Sequence, residues 1–414
     1  MVSVAKCKWF CDPDLIYIMS LLNQGNEKSC IVGGAVRDSL MNVDVKDVDI
    51  ATTILPDVVI KIFSKTKCAV IPKGIYHGTV TVLLSKKCFD ITTLRSDYIT
   101  DGRNAKVIFT KDWHADALRR DFTINALYAD RYGQIIDYVG GLNDIRNNTI
   151  RFIGNAHHRI EEDYLRILRF FRFFAHYGKD NIDFNGFSAI KQTKVGLKIV
   201  SIERIWSEIK KLLEAKNPIQ AVIHMHDSGV FKEIFPYIQC FHIDKFSFLI
   251  EGEQKFKWSI DPLLRFIVLI YSQDENFIRY ISKKLCLSTA IKHFFLAFIQ
   301  CNIPINITEK EIIKLFYIYG SDVVIAKLKI FLALNHRHID NQYAYKIIKI
   351  IEDIPYWRKP IFPLRGYDVL KLGINPGKKV GYILDHCKDE WINSFFQLSR
   401  KDLLNILQEL IKSF

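Results

Sequence analysis

The chain has 414 residues, 49% of them hydrophobic and 25% charged, the balance of an ordinary folded globular protein of about two to four domains. No apolar run approaches the roughly 20 residues that a membrane-spanning helix needs. The formal net charge of +13 points toward a polyanion: a nucleic acid, an acidic membrane surface or a phosphorylated substrate. The nine cysteines are scattered, odd in number and never paired as CxxC. That argues against a disulfide framework or zinc knuckle and for a reducing cytoplasm. The opening MVSVAKCKWFCDPD has no signal-peptide core, so none is expected.

The first ~145 residues read as mixed α and β, and the remainder as helical. Short β-rich runs occur at Cys30–Val32, Val45–Ala51, Cys68–Ile71, Thr79–Leu84 and Cys88–Thr93, each edged by Gly, Asp, Lys or Ser. Val36–Met41 and Pro56–Ser64 read as short helices between them, with Pro56 suited to a first turn. The polar, Gly-containing segment Ser96–Lys106 reads as a loop. Apolar residues then recur at three- and four-residue spacing through His158–Tyr177 and Ser201–Glu214, and helical patterns fill 218–300. The three prolines within Ile354–Leu364 mark a linker.

The first chemical motif is IVGGAVRD, Ile31–Asp38, followed by KDVDIAT, Lys46–Thr52. Gly33 and Gly34 follow a strand and open a helix, where backbone N–H groups can approach phosphates. Arg37, one turn in, reaches the same phosphates. A tight turn alone would also use two glycines. Asp47 and Asp49 sit two apart on a predicted strand and so face one side. Like charges there need neutralising, and hard Mg²⁺ ions do this while clamping the oxygens of a phosphoryl transfer. In isolation such a pair reads as a solvated strand end; directly after GGAVRD it reads as a metal clamp. Asp90, in FDITTLR, is a candidate third carboxylate, with a plain surface aspartate as the other reading.

The second motif is RRDFTINA, Arg119–Ala126. Arginine suits bidentate phosphate contacts, which puts Arg120 forward, and Asn125 suits a sugar hydroxyl. A capped helix with exposed arginines is the plainer alternative. The third is EEDYLRILRFFRFFA, Glu161–Ala175, where Asp163, Arg166, Arg169 and Arg172 step by three along an expected helix among Leu, Ile and Phe. The apolar surroundings argue for a charged stripe facing a cleft rather than an exposed salt-bridge row. A carboxylate accepts from an exocyclic amine and a guanidinium donates to a ring nitrogen or carbonyl. Cytosine and adenine both offer that edge, whereas uracil and guanine offer the reverse. A mismatch leaves buried polar groups unpaired, so Asp163 and Arg166 can select C and A without a template.

GGAVRD…KDVDIATT, HGTVTV, RRDFTINAL, EEDYLRILRFFRF and SIERIWSEIKKLL occur in the order of the motifs of the class II tRNA nucleotidyltransferase and poly(A) polymerase family. The chain resembles that family over about residues 28–235. The resemblance implies an α+β fold: a polymerase-β-like head with a small mixed sheet, then an all-helical neck, body and tail. Mapped onto this sequence, the parts are residues 1–150, 151–215, 216–355 and 356–414. It implies Asp47 and Asp49 as Mg²⁺ ligands, Gly33, Gly34, Arg37 and Arg120 at the triphosphate, and Asp163 and Arg166 at the base. Arg169 and Arg172 would line the same pocket. The segment Asp97–Arg103, with Asp97, Asp101 and Arg103, resembles the family's flexible loop, which helps the switch from C to A. Asp90 stands where many relatives carry Glu, and Asn104–Ala105 where many carry His-Pro.

The expectation is therefore a cytoplasmic enzyme, monomeric or weakly dimeric, that adds C, C and A to tRNA 3′ ends from CTP and ATP with Mg²⁺. A poly(A) polymerase, or an enzyme adding only CC or only A, is the nearest alternative. The chain's last segment, KDLLNILQELIKSF, reads as an ordinary amphipathic helix rather than the strongly basic extension expected for poly(A) addition. A non-catalytic RNA-binding protein on the same scaffold is opposed by the intact Asp47 and Asp49. His224, His226 and Asp227 suggest a metal site, but a helix–turn is the simpler reading.

Overall fold

The computed structural model describes residues 2–25, 28–72, 74–101, 104–179, 181–238, 241–272, 274–335 and 337–412, with backbone alone at 97–101 and 104–106. The chain divides into two compact units, Met1–Gln239 and Cys240–Phe414.

The first unit begins with helix α1 (Pro13–Leu22), started by Pro13 and by Asp12, whose side chain accepts the Asp14 N–H. Strand β1 (Ser29–Val32) leads into α2 (Gly34–Leu40), and β2 (Val48–Thr52) into α3 (Pro56–Phe63). Strands β3 (Ala69–Ile71), β4 (Thr79–Leu84) and β5 (Lys87–Thr93) follow, then β6 (Arg95–Asp101) and β7 (Asn104–Phe109). After α4 (Trp113–Leu118) and a 3-10 turn at Thr123–Asn125 come β8 (Leu127–Ala129), β9 (Ile135–Asp137) and α5 (Gly141–Arg146). Seven strands form one mixed sheet in the order β3-β4-β5-β2-β1-β8-β9. Its centre is buried on both faces, as the apolar run Ile50–Ala51 requires, and Val32, Ala51, Leu94, Ala126 and Tyr128 share one core cluster.

Two sequence-based expectations change here. The strand expected from Val45 starts at Val48, leaving Asp47 just ahead of it. The expected loop Ser96–Lys106 is instead the paired ribbon β6–β7, with a register shift between Asp97 and Ile99. The stretch Ser96–Lys106 is polar and contains Gly, so it offers no clean apolar alternation to read as strand. Asp97 and Asp101 fall on β6; Gly102 and Arg103 lie outside the described residues.

Helical structure follows as α6 (Ala156–Glu162), α7 (Leu165–Tyr177), α8 (Phe184–Thr193), α9 (Ile202–Leu213), α10 (Ile219–Asp227) and α11 (Val230–Ile234). The helix expected through His158–Tyr177 breaks at Asp163, whose backbone is extended at φ −157, ψ 103. Its carboxylate accepts the Leu165 N–H and so starts α7 rather than continuing α6. Phe170 and Phe173 of α7 stack among Phe122 and Phe152, with ring centroids 5.0 to 6.3 Å apart, tying helix to head. Helix α10 packs on α7, with His224 edge-on to Phe174 at 5.3 Å, so this histidine fills a core contact.

The second unit is helical, starting with α12 (Ile243–Lys255) and α13 (Pro262–Leu269). One core gathers Ile312, Leu328, Leu332 and Ile351. Another gathers Val369, Ile383, Trp391 and Leu403. Between them the proline-rich stretch gives only a 3-10 turn, Ile354–Tyr356, before the helix Gly366–Leu370.

Candidate active site

Strand register builds the first wall. Val32 pairs with Asp49, Asp49 with Asp90, and Asp90 with Thr81, a row across adjacent strands whose side chains share a face. Thr81 Oγ1 donates to Asp90 Oδ1 at 2.5 Å. Asp49 remains open to solvent at the cleft, yet burial of its surroundings pushes its carboxyl above the usual range. Asp90 and Asp47 push the same way, while Arg120 opposes them. Asp47 itself is exposed, one step before the strand. Among the described residues no three His, Cys, Asp or Glu side chains close a metal cage. The carboxylates suit a divalent ion that completes its shell with phosphate and water oxygens, as Mg²⁺ does.

The chain leaves β1 through Gly33, whose φ of +73 favours glycine, and an added Cβ there would face Arg120 Nη1 at 3.9 Å. Gly34 opens α2; a Cβ there would meet only Arg37 Nη2 at 3.7 Å, so its absence leaves the helix start accessible.

Arg37, expected at the phosphates, stands one turn into α2. Its guanidinium is buried and already fixed: Nε donates to Asp38 at 2.9 Å, Nη1 to Asn125 at 2.5 Å and Nη2 to Tyr177 at 2.8 Å. Asn125 donates one Nδ2 hydrogen to Asp121 at 3.0 Å while its oxygen accepts Arg37, so it braces the turn and keeps a second amide hydrogen.

The RRD motif is organised by carboxylates. Fully buried Asp116 pairs with Arg119 at 2.7 Å, with Arg120 at 2.9 Å and with the Tyr128 hydroxyl at 2.8 Å. Burial alone would raise its carboxyl, but Arg120 and Arg119 outweigh that and hold it below the usual range. Asp121 receives Arg169 Nε at 2.9 Å and is likewise held low against burial. Arg159 donates to the carbonyls of Arg119 and Arg120 and binds α6 to this motif.

The arginine stripe is thus a set of tethered groups. Asp163 accepts from Arg204 of α9 at 2.7 Å. Arg166 Nη1 donates to Glu162 at 2.5 Å and to the Arg159 carbonyl at 2.6 Å. Arg172 pairs with Glu208 of α9 at 2.9 Å. Asp163, at the helix break, and Arg166, in the first turn of α7, therefore stand as neighbours with separate partners. Sequence reasoning left Asp121, Glu162, Tyr177, Arg204 and Glu208 without roles. Glu208 carried a signal, a carboxylate on the apolar side of an amphipathic helix beside Ile205, Ile209 and Leu212.

Residues 29–151 match the family described as the Poly A polymerase head domain, and residues 181–241 match the probable RNA and SrmB- binding site of polymerase A. The mitochondrial CCA tRNA nucleotidyltransferase 1 of Mus musculus is 32% identical over 405 residues, covering 95% of this chain and 89% of that protein. The CCA-adding enzyme of Ligilactobacillus salivarius (strain UCC118) is 30% identical over 395 residues, 90% of each chain. The crystal structure of Bacillus stearothermophilus CCA-adding enzyme in complex with CTP superposes with a TM-score of 0.75 at 25% identity, covering 96% of this chain and 97% of that one.

Proposed function

We propose, from the premise that the chain belongs to the CCA tRNA nucleotidyltransferase family, how its own residues divide the work of adding C, C and A to tRNA 3′ ends. The observation that carries the assignment is the Asp49–Asp90 register pair on the strands beside the Gly33 turn, with Arg120 opposite.

The substrates are CTP, ATP and a tRNA lacking its terminal nucleotides. Asp47 and Asp49 would hold Mg²⁺, which supplies neutralisation of the polyphosphate charge and a more acidic primer hydroxyl. Asp90, steadied by Thr81, sets the field at Asp49. Gly33 and Gly34 admit the triphosphate to the helix start, and Arg37 and Arg120 balance its charge from fixed positions. The primer 3′-hydroxyl attacks the α-phosphorus and pyrophosphate leaves. Positioning and charge complementarity supply most of the acceleration, because the groups are set before substrate arrives.

Asp163 accepts from the exocyclic amine of C or A, and Arg166 donates to the neighbouring ring acceptor. Arg204 and Glu162 aim them, so the reading edge is built before the base arrives. Arg169 and Arg172 line the same side. The parts at 1–150, 151–215, 216–355 and 356–414 serve as catalytic head, base-reading neck and RNA-binding body and tail. No helix among the described residues is long and apolar enough to cross a membrane. We place the enzyme in the cytoplasm, where the free thiols of the described cysteines stay reduced. Sequencing the products made on a tRNA lacking its last three nucleotides, with all four NTPs present, tests the reading. CCA ends support it; CC only, A only or A-tracts replace it with the corresponding activity.

A further inference from the structure

Helix α7 touches the nucleotide machinery at both ends. Near its start stands Arg166; at its end, three turns on, stands Tyr177, for which the sequence suggests no role. Tyr177 lies under the Arg37 guanidinium, whose carbon sits 4.2 Å from the ring centroid, and Phe173 lies 5.2 Å away on the same helix. The Tyr177 hydroxyl accepts from Arg37 Nη2 at 2.8 Å. Arg37 Nη1 continues to Asn125, Asn125 to Asp121, and Asp121 to Arg169, back on α7. The contacts close a ring that starts and ends on one helix. A ring of charged and polar groups at low exposure has few alternative arrangements, because opening any link leaves a buried group unpaired.

We propose that Tyr177 is a positioning residue for the triphosphate: its ring and hydroxyl fix Arg37 against Gly34, so the helix that reads the base also holds the polyphosphate anchor. This rests on the assignment of Arg37 to the triphosphate. Tyr177 touches neither the reacting atoms nor the nucleotide. Its phenol is pushed up by burial, with Asp38 adding to the rise and Arg37 opposing it, so it stays neutral and keeps its proton for Asp38 while accepting from Arg37. An unrestrained arginine would sample many rotamers and lose part of its bond to the phosphate as ordering entropy.

The test compares Tyr177→Phe, Tyr177→Leu and Arg37→Ala in the full-length enzyme. Two quantities are read: inhibition of CTP incorporation by inorganic pyrophosphate, and KM against kcat for CTP and ATP separately. Tyr177→Phe, which keeps the ring and the fold, should weaken pyrophosphate inhibition about fivefold, the value of one lost hydrogen bond. Tyr177→Leu, which also removes the stack, should weaken it tenfold or more. KM for CTP and ATP should rise by the same factor, with kcat and discrimination against UTP little changed. Arg37→Ala should move the same quantities further. If Arg37→Ala weakens pyrophosphate inhibition and both Tyr177 variants leave it at wild type, the positioning role is overturned while Arg37 keeps its assignment. If Arg37→Ala also leaves it unchanged, the triphosphate assignment itself fails. A fall in thermal midpoint with unaltered pyrophosphate inhibition makes Tyr177 purely structural and overturns the proposal.

Discussion

The carboxylate of Asp163 is held by the guanidinium of Arg204 at 2.7 Å, across 41 residues of sequence. That bond exists because the chain leaves the helix at Asp163, turning its carboxylate toward α9 rather than along α6. On the proposed reading, in which Asp163 meets the base, Arg204 would act on base selection only through that carboxylate.

The first prediction concerns that dependence. A good bidentate base-edge contact is worth about 1–3 kcal/mol in DNA readout, the nearest guide. Asp163→Ala and Arg166→Ala should each raise UTP and GTP misincorporation about tenfold or more while lowering CTP turnover less. Arg204→Ala leaves the carboxylate in place but unhooked, and should give a smaller rise, about fivefold, from one lost charge-assisted bond. Competition assays with mixed NTPs read this directly. Unchanged discrimination in both Asp163→Ala and Arg166→Ala places base reading elsewhere.

Asp49 should show opposite effects on activity and stability. Its folded pKa lies above its ordinary value, first from burial and then from Asp90 and Asp47. The charged form is therefore disfavoured in the folded, metal-free protein. The stability Asp49 contributes is fully present below its ordinary pKa and lost as pH rises through the raised one. Asp49→Asn should melt slightly higher than wild type at neutral pH in chelator, yet incorporate nucleotide at least a hundredfold more slowly, as for loss of a key electrostatic group. Added Mg²⁺ should raise the melting temperature of wild type and not of Asp49→Asn. Near-normal incorporation by Asp49→Asn would sink the metal assignment.

Most of the head was legible because its signals are local. The alternation of Thr79–Leu84 and the double glycine at 33–34 sit in short windows whose periodicity survives burial. The carboxylates at 49 and 90 were legible as residues, but their adjacency depends on parallel pairing of β2 with β5, which no local pattern encodes. The stripe of 163, 166, 169 and 172 misled for a related reason. Periodicity suggested one helix and one shared face, while an aspartate that caps the following turn breaks the helix. Each stripe residue then took a separate partner: Arg204, Glu162, Asp121 or Glu208. Such tertiary pairings join distant segments, and only the fold specifies them.

The second unit contains an ion pair whose cost is visible. Arg265 is 1% exposed and Glu253 6%, and Arg265 Nε lies 3.0 and 3.1 Å from the two carboxylate oxygens. Removing one partner strands the other charge in the core. Arg265→Met or Glu253→Gln alone should lower stability by about 3–5 kcal/mol, while Arg265→Met combined with Glu253→Leu should recover most of the loss. Urea unfolding of the full-length protein, followed by circular dichroism, checks this. A double variant as unstable as the worse single would show that the pair has a net stabilising value of its own.

The last prediction concerns the β6–β7 ribbon. Cytosine and adenine share an amine-plus-acceptor edge but differ in size and in where that edge lies. On the proposed reading, one fixed arrangement of Asp163 and Arg166 would not serve both well, and the site is expected to shift between the second C and the terminal A. The ribbon is placed to transmit such a shift. Among the described residues it pairs with itself as a two-stranded sheet, a marginal unit, and its first residue roots it to the arginine cluster: the Arg95 N–H donates to Asp116 Oδ1 at 3.4 Å. Asp116 in turn holds Arg119 and Arg120, so a displacement at the ribbon's base moves the carboxylate that orients them. Deleting Ile99–Asn104, or replacing Asp101 and Arg103 by Ala, should leave CC addition nearly intact and stall the product one nucleotide short. Gel-resolved extension of a tRNA ending before CCA, with CTP and ATP supplied together, separates the outcomes. Full-length product at wild-type rate from the deletion rejects the lever, and equal loss of C and A addition makes the ribbon a structural support for the head.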